Sequence, residues 1–218
     1  MYKAGVVLFY LFLVTSTEDI QTGINYFNAR SENAKGLQAD SLNVNKAIEV
    51  FDALLKQNKN VEEAGGYYMQ CLNFKGRFVY THTAHKKLVY TKSVALGNQL
   101  IKQFPRNGKI RFELISSIGL LAEMNGVLKS IEDGVLAKIL DHTKKLIEYD
   151  SLYFEGGGWK TYAVLNYKTP YIPMVLTWPN KEYAKTLIRK SLKHFPASVG
   201  NNFYYGEALY ENNEKSLA

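Results

Sequence analysis

The side chains best suited to chemistry in this 218-residue chain are few and widely separated. His82 and His85 lie three residues apart in a polar segment, a spacing that holds a metal ion only if a third ligand joins them. His142 and His194 lie far along the chain, so we expect His82 and His85 to be exposed and predict no metal site. The single cysteine, Cys71, lies in an apolar run and is predicted to be a small buried hydrophobe, with a reactive thiol as the alternative.

No arrangement of side chains typical of an enzyme is recognisable. The sequence has no Ser-His-Asp order, no paired-carboxylate setting and no nucleophile elbow. Glu113 and Glu123, with Glu132 and Asp133 beyond them, are predicted to form a solvated face. We therefore expect no catalytic residues, no cofactor and no enzymatic activity.

The run Gly156-Gly157-Gly158 comes directly before a predicted helix, and Lys160 follows it. Backbone N–H groups at a helix N-terminus bind anions, and a neighbouring lysine would strengthen that attraction. The run lacks the Lys-Ser/Thr pair and the preceding strand of a nucleotide-binding phosphate loop. A close-packed turn is the interpretation that we favour, and an anion site is the alternative.

Aromatic residues are the best candidates for a binding surface, since the chain has 16 tyrosines and 11 phenylalanines. Tyrosine provides a large contact area at low entropic cost and keeps a polar tip. The proline-rich segment 169–179 is too apolar for an ordinary linker, so it either lines a hydrophobic pocket or packs on the helices that it connects. The predicted ligand-binding residues are Trp159, Tyr162, Tyr167, Tyr171, Trp178 and Tyr205.

The helices that must position these residues follow a repeat of about 46 residues. Helical stretches are predicted to end at Lys59, Pro105, Ser151 and Pro196, which are 46, 46 and 45 residues apart. No segment has the two-residue alternation of a strand. A fixed period of one helical hairpin is typical of an α-solenoid. We therefore predict an all-α fold of four to five antiparallel helix hairpins, in a single domain over residues 17–218.

The second helix of each repeat resembles those of the tetratricopeptide-repeat family. Members of that family have small, large and small residues at spacings of four and three, and a proline five residues later. Ala184, Ile188, Ser191 and Pro196 match this pattern closely, and the repeat that ends at Lys59 matches less closely. The period exceeds the usual 34 residues, which implies longer linkers. The resemblance implies a tetratricopeptide-like solenoid.

The C-terminal part has a more specific resemblance, to the T-component proteins of tripartite ATP-independent periplasmic (TRAP) transporters and their secreted relatives. The matching segments are Gly156-Gly157-Gly158-Trp159, Tyr167-Lys168-Thr169-Pro170, Trp178-Pro179 and Tyr205-Gly206-Glu207-Ala208-Leu209-Tyr210. The resemblance implies an exported protein with a ligand-holding cavity that works beside a periplasmic substrate-binding protein. The chain lacks the lipidation cysteine of anchored members.

The N-terminus has the layout of a secretory signal peptide. Lys3 gives one positive charge, an apolar run of 11 residues extends from Ala4 to Val14, and small residues follow. Eleven residues are too few to span a bilayer, which needs roughly 20. Cleavage is predicted after Ser16, which places the mature chain in the periplasm or outside the cell, without a membrane span. An uncleaved anchor or a first buried helix is the alternative.

The formal charge of +7 is spread along the chain, with Lys and Arg usually placed among acidic residues. This predicts a solvated basic surface and no nucleic-acid partner. We therefore expect an exported binding or scaffold protein, associated with a TRAP transporter, that holds a partner protein, a peptide or a small apolar ligand in an aromatic groove. A structural envelope component without a ligand, or an enzyme with a site under segment 169–179, is the alternative.

Overall fold

The computed structural model describes residues 19–172, 174 and 176–217, without the side chains of Val127 and Leu128. Within these residues the chain is all-helical, as predicted, with ten α-helices, one π-helical turn (Lys75–Val79) and no β-strand. The helices are α1 (Ile20–Asn28), α2 (Leu42–Lys56), α3 (Val61–Phe74), α4 (Thr83–Gln103), α5 (Gly108–Asn125), α6 (Val127–Glu132), α7 (Val135–Asp150), α8 (Tyr153–Lys168), α9 (Lys181–His194) and α10 (Val199–Glu211).

Local chemistry explains where several helices begin and end. Asn107, Asn180 and Ser198 precede α5, α9 and α10, and each side chain accepts a hydrogen bond from a backbone N–H group of the first turn. Pro105 and Pro196 follow the ends of α4 and α9 by two residues, because proline cannot continue a helix. These two predicted helix ends are confirmed.

Each helix packs on its neighbours along the chain. Contacts join α1 to α2, α2 to α3, α3 to α4, α4 to α5, α5 to α7, α7 to α8, α8 to α9 and α9 to α10. A second set of contacts joins α1 to α3, α3 to α5, α5 to α8 and α8 to α10. Helices α1, α3, α5, α8 and α10 therefore form one row, which we call the first row. Each of α2, α4, α7 and α9 contacts the two first-row helices that flank it in the sequence.

The repeated apolar positions form the core. Ala47, Phe51 and Leu54 lie on one face of α2, are almost fully buried, and pack in a cluster with α1, α3 and α4. Ala184 and Ile188 are their equivalents in α9 and are fully buried against α8 and α10. Full burial of a Phe, Leu or Ile side chain contributes about 1.5–3 kcal/mol. The positions that define the sequence repeat therefore provide much of the energy that holds neighbouring helices together.

Two helix boundaries differ from the sequence-based expectation. With Gly36 as a possible left-handed cap, the sequence predicts that the first helix continues to about Lys35. In the structure α1 ends at Asn28, where Arg30 folds back and donates a hydrogen bond to the Phe27 carbonyl oxygen at 2.8 Å. The sequence predicts one helix over roughly residues 130–149, whereas in the structure Gly134 separates α6 from α7. Gly134 has a φ of +67°, a left-handed conformation that glycine adopts without steric cost and that ends α6.

None of the described helices has both the length and the apolar character that a bilayer crossing requires. The predicted signal peptide, residues 1–16, lies outside the described residues.

Candidate functional site

Four of the six predicted ligand-binding residues belong to one cluster between α8, α9 and α10. Trp159 is 9% exposed and stacks on His194, with ring centroids 5.7 Å apart. Tyr162 meets Tyr183 edge to face, with ring centroids 5.8 Å apart. Tyr167 and Tyr205 complete the set. Trp159 and Tyr167 are therefore mainly core residues.

Two tyrosines of this cluster are anchored by charged side chains. The Tyr167 hydroxyl donates a hydrogen bond to Glu207 Oε2 at 2.8 Å. Burial raises the pKa of Tyr167, and the Glu207 carboxylate raises it further, so the phenol keeps its proton. The Tyr205 hydroxyl accepts a hydrogen bond from Arg189 Nε at 3.0 Å. These bonds fix α10 against α8 and α9.

The other two predicted residues lie apart from this cluster. Trp178 packs against apolar residues of α5, α7 and α8. Tyr171 is 61% exposed, and its neighbour Met174 is 98% exposed. Segment 169–179 therefore packs on the helices at Trp178 and is open to solvent at Tyr171. Pro173 and Val175 of this segment lie outside the described residues.

An open groove of about 620 Å³ lies along α10, and we call it the C-terminal groove. Tyr205 is the one predicted site residue in its wall. Phe203, Tyr210 and Leu217 expose 62%, 56% and 69% of their surface. The groove is lined by Lys168, Asn202, Phe203, Tyr205, Gly206, Glu207, Leu209, Tyr210, Glu211 and Leu217.

The charges of the C-terminal groove are paired. Lys168 Nζ lies 3.1 Å from Glu207 Oε1, and Lys181 Nζ lies 3.1 Å from Glu211 Oε2. Each of these carboxylates keeps about 30% of its side-chain surface exposed. The groove therefore combines exposed aromatic rings with a partly neutralised acidic edge. No histidine, cysteine or serine is among the described residues of its walls.

The prediction that Glu113 lies on a solvated face is wrong. Its side chain is 7% exposed because α3 covers this face of α5. Glu113 Oε2 accepts a hydrogen bond from Asn73 Nδ2 at 2.7 Å, and Oε1 accepts one from Gln70 Nε2 at 3.3 Å. Burial raises the pKa of Glu113, and these two hydrogen bonds oppose the rise. Glu123, Glu132 and Asp133 are exposed, as predicted.

A second buried polar contact joins α5 to α7. Arg111 is 4% exposed, and its guanidinium donates a hydrogen bond to His142 Nδ1 at 3.1 Å and another to the Pro105 carbonyl oxygen. Burial lowers the pKa of His142, and the positive charge of Arg111 lowers it further. The imidazole is therefore neutral and acts as an acceptor. This contact holds the turn before α5 against α7.

The glycine run forms a close-packed turn, as we favoured from the sequence. Phe154, Glu155 and Gly156 have left-handed φ values of +50°, +54° and +77°, and regular helical geometry follows them in α8. A Cβ atom on Gly157 would lie 2.7 Å from the Phe112 ring, and one on Gly158 would lie 2.8 Å from Ile147 Cγ1. Glycine is required here because α8 lies so close to α5 and α7.

His82, His85 and Cys71 lie in the environments that the sequence predicts. His82 and His85 are exposed, and His82 Nδ1 accepts a hydrogen bond from Ala84 N–H at the start of α4. No group of three metal-ligating side chains occurs among the residues that the structure covers. Cys71 is fully buried, and burial raises the pKa of its thiol, which confirms a small buried hydrophobe.

Comparison with known proteins assigns no family to the chain. No protein-family model matches it, and no curated protein has significant similarity to it. The packing of the helices and the C-terminal groove are therefore the basis for a functional proposal.

Proposed function

We propose that this chain is an exported helical-repeat binding protein that holds a protein or peptide partner in the C-terminal groove. The observation that carries the proposal is the exposure of Phe203, Tyr210 and Leu217 along a single groove. Aromatic side chains at the centre of an interface provide much of its binding energy, because they bury a large area at low entropic cost. Glu207 and Glu211 are each paired with a lysine, so the groove favours a partner segment with mainly apolar residues.

We further propose that the architecture is a tetratricopeptide-like solenoid. The contacts within the first row support this, because α1, α3, α5, α8 and α10 would be the first helices of successive hairpins. The burial of Ala184, Ile188 and Ser191, which match the family pattern in α9, also supports it.

The resemblance of segment 156–210 to TRAP-transporter T-components suggests the setting of the proposed binding. In that setting, residues 1–16 are removed during export, and the mature chain works in the periplasm beside a substrate-binding protein. A small apolar ligand is a second occupant that the aromatic groove suits. N-terminal sequencing of the exported protein tests the cleavage, with Thr17 as the expected first residue.

Photo-crosslinking tests the proposed partner site. p-Benzoylphenylalanine replaces Phe203 in the groove or, as a matched control, Leu88, which is 68% exposed on α4. After irradiation of intact cells, we expect a discrete adduct from position 203 and none of the same mass from position 88. Mass spectrometry then identifies the partner. The same adducts from both positions, or none from position 203, would contradict the proposal.

Alanine variants test how much the exposed rings contribute to the affinity for the partner that crosslinking identifies. Phe203→Ala and Tyr210→Ala remove exposed rings, so the fold should be retained while affinity falls by about tenfold or more, the scale of an interface hot spot. Tyr183→Ala, which removes a half-exposed tyrosine of α9 outside the groove, should leave affinity unchanged. Calorimetry with the purified partner measures all three. Unchanged affinity in the two groove variants would count against this site.

A further inference from the structure

A buried lysine that forms no ion pair among the described residues lies beside the N-terminus of α10. Lys160 of α8 is 7% exposed, and within the described part of the chain its ammonium group has no hydrogen-bond or ion-pair partner. The unpartnered polar atoms that are closed off from solvent are Arg111 Nε, Thr143 Oγ1 and Asn201 Oδ1. Lys160 Nζ is not one of these, so solvent still reaches it. A charged group held largely out of water is stabilised when a partner of opposite charge binds it.

The Lys160 ammonium faces the first turn of α10. A Cβ atom built on Gly200 would lie 4.0 Å from Lys160 Nζ. Ser198 caps the helix by accepting a hydrogen bond from Asn201 N–H, and the N–H groups of Val199 and Gly200 have no acceptor among the described residues. The first N–H groups of a helix carry a partial positive charge of about half a unit. Lys160 and the N-terminus of α10 therefore both attract negative charge to the space between them.

Glu155 places one negative charge beside Lys160 and so limits the negative charge that a ligand can bring there. Its carboxylate accepts a hydrogen bond from the Ser198 hydroxyl and lies near Lys160 without forming an ion pair. Burial lowers the pKa of Lys160, and the Glu155 carboxylate opposes that effect. Because one negative charge is already present, a ligand with a single negative charge is favoured over a polyanion.

An aromatic surface adjoins the charged groups. The Phe154 ring centroid lies 5.1 Å from Lys160 Nζ, and 57% of the side chain is exposed. The same ring packs against Phe112, with centroids 4.7 Å apart, which supports it from the α5 side. An apolar group that extends from an anion at Lys160 would cover the exposed part of Phe154.

We propose that Lys160, the N–H groups of Val199 and Gly200, and the Phe154 ring form a binding site for a small monocarboxylate with an apolar or aromatic group. The carboxylate accepts hydrogen bonds from the ammonium and backbone donors, and the apolar group packs on Phe154. None of these four residues lines the C-terminal groove, so the site is independent of the proposed partner binding.

A titration of the 15N-labelled full chain with sodium phenylacetate, at constant ionic strength, tests this site. We expect saturable shifts of the Val199 and Gly200 amide signals. Lys160→Met removes the charge and keeps the length of the side chain, so affinity should fall at least about tenfold, the effect of losing one charge-assisted hydrogen bond. Lys102→Met is the control, since Lys102 is an exposed lysine of α4 that lies outside both this site and the C-terminal groove, and it should bind like the wild type.

A second variant covers the case in which Lys160→Met does not fold. Val199 is the first residue of α10, where proline is well tolerated, and Ser198 has a ψ of 117° that suits a residue before proline. Val199→Pro removes one N–H donor and should weaken phenylacetate binding by roughly threefold or more. Sodium acetate is the probe without an apolar group and should bind more weakly. Shifts that do not saturate, equal affinity in Lys160→Met, or acetate binding as tight as phenylacetate would each overturn the proposal.

Discussion

Glu113 is a charged residue whose environment differs from what its chemistry suggests. Its carboxylate lies between α3 and α5, with Asn73 and Gln70 as donors and no lysine or arginine within ion-pair distance among the described residues. Ser117 extends the network, because its hydroxyl lies 2.7 Å from the Ser93 hydroxyl and 2.8 Å from Asn73 Oδ1. A buried polar network of this kind favours a single relative position of the helices that it joins, provided that its members are satisfied.

We predict that Glu113→Gln reduces the pH dependence of folding stability. The folded-state pKa is raised above the usual 4.5, so the folded chain keeps a proton that the unfolded chain has already lost. The free energy of unfolding contributed by this group therefore falls as the pH rises from about 4.5 through the folded-state pKa. Glutamine cannot ionise, so urea unfolding of the variant should lack this fall.

Glu123→Gln is the matched control for this prediction, since Glu123 is an exposed glutamate on the same helix. It should show the pH profile of the wild type. A profile that is identical in the wild type and Glu113→Gln would mean that the carboxylate of Glu113 is not enclosed in solution.

Residue burial was predictable from the sequence where one helix face is uniformly apolar, and harder to predict elsewhere. Cys71 was predicted correctly because its neighbours are apolar. Glu113 was not, because its partner helix α3 is remote in the sequence. Gln70 and Asn73 were the available signal, since they are two amides three residues apart in the apolar second half of α3, and buried amides are usually hydrogen-bonded to polar partners.

At the level of elements, the close approach of α8 to α5 depends on glycine. We predict that Gly157→Ala lowers the free energy of unfolding by about 1–3 kcal/mol, the usual cost of overpacking, because its Cβ atom would lie 2.7 Å from the Phe112 ring. Gly119→Ala in α5 is the matched control, because no atom lies within 4 Å of the added Cβ. Alanine has a higher helix propensity than glycine, so this change should raise the free energy of unfolding by about 0.5–1 kcal/mol.

Chemical denaturation of the two alanine variants measures both effects. Equal changes in stability, or a gain in Gly157→Ala, would show that the α5–α8 contact is looser than described. The opposite signs that we expect separate the intrinsic preference for alanine from the packing cost at Gly157.

Most helices were predictable because capping residues and prolines mark their ends. Asn107, Asn180 and Ser198 are recognisable caps, and α5, α9 and α10 begin directly after them. The early end of α1 was not predictable, since no glycine or proline follows Asn28 before Gly36. The candidate site was harder to predict than the helices. The lining of the C-terminal groove depends on how α10 packs near Lys168 and Leu217, and a repeat pattern does not specify that packing.

For the whole molecule, we predict an elongated particle. A compact globular chain of the length of residues 17–218 has a radius of gyration of about 17 Å. A tetratricopeptide-like solenoid, as proposed, lengthens in one direction with each hairpin and should exceed that value in small-angle X-ray scattering of the monomer. A radius of gyration at the compact value would favour a closed helical bundle instead.

Because of its position, Cys71 can report internal motion of the native chain without an added label. It is the only thiol in the sequence, and it is fully enclosed in the cluster that joins α1, α2, α3 and α4. A thiol reagent can therefore modify it only when that cluster opens, so the modification rate measures how often these helices separate. The proposed partner site lies on α10, whereas Cys71 lies in the cluster of α1 to α4. The modification rate of Cys71 before and after partner binding would therefore measure how far the ordering effect of binding extends along the row of helices.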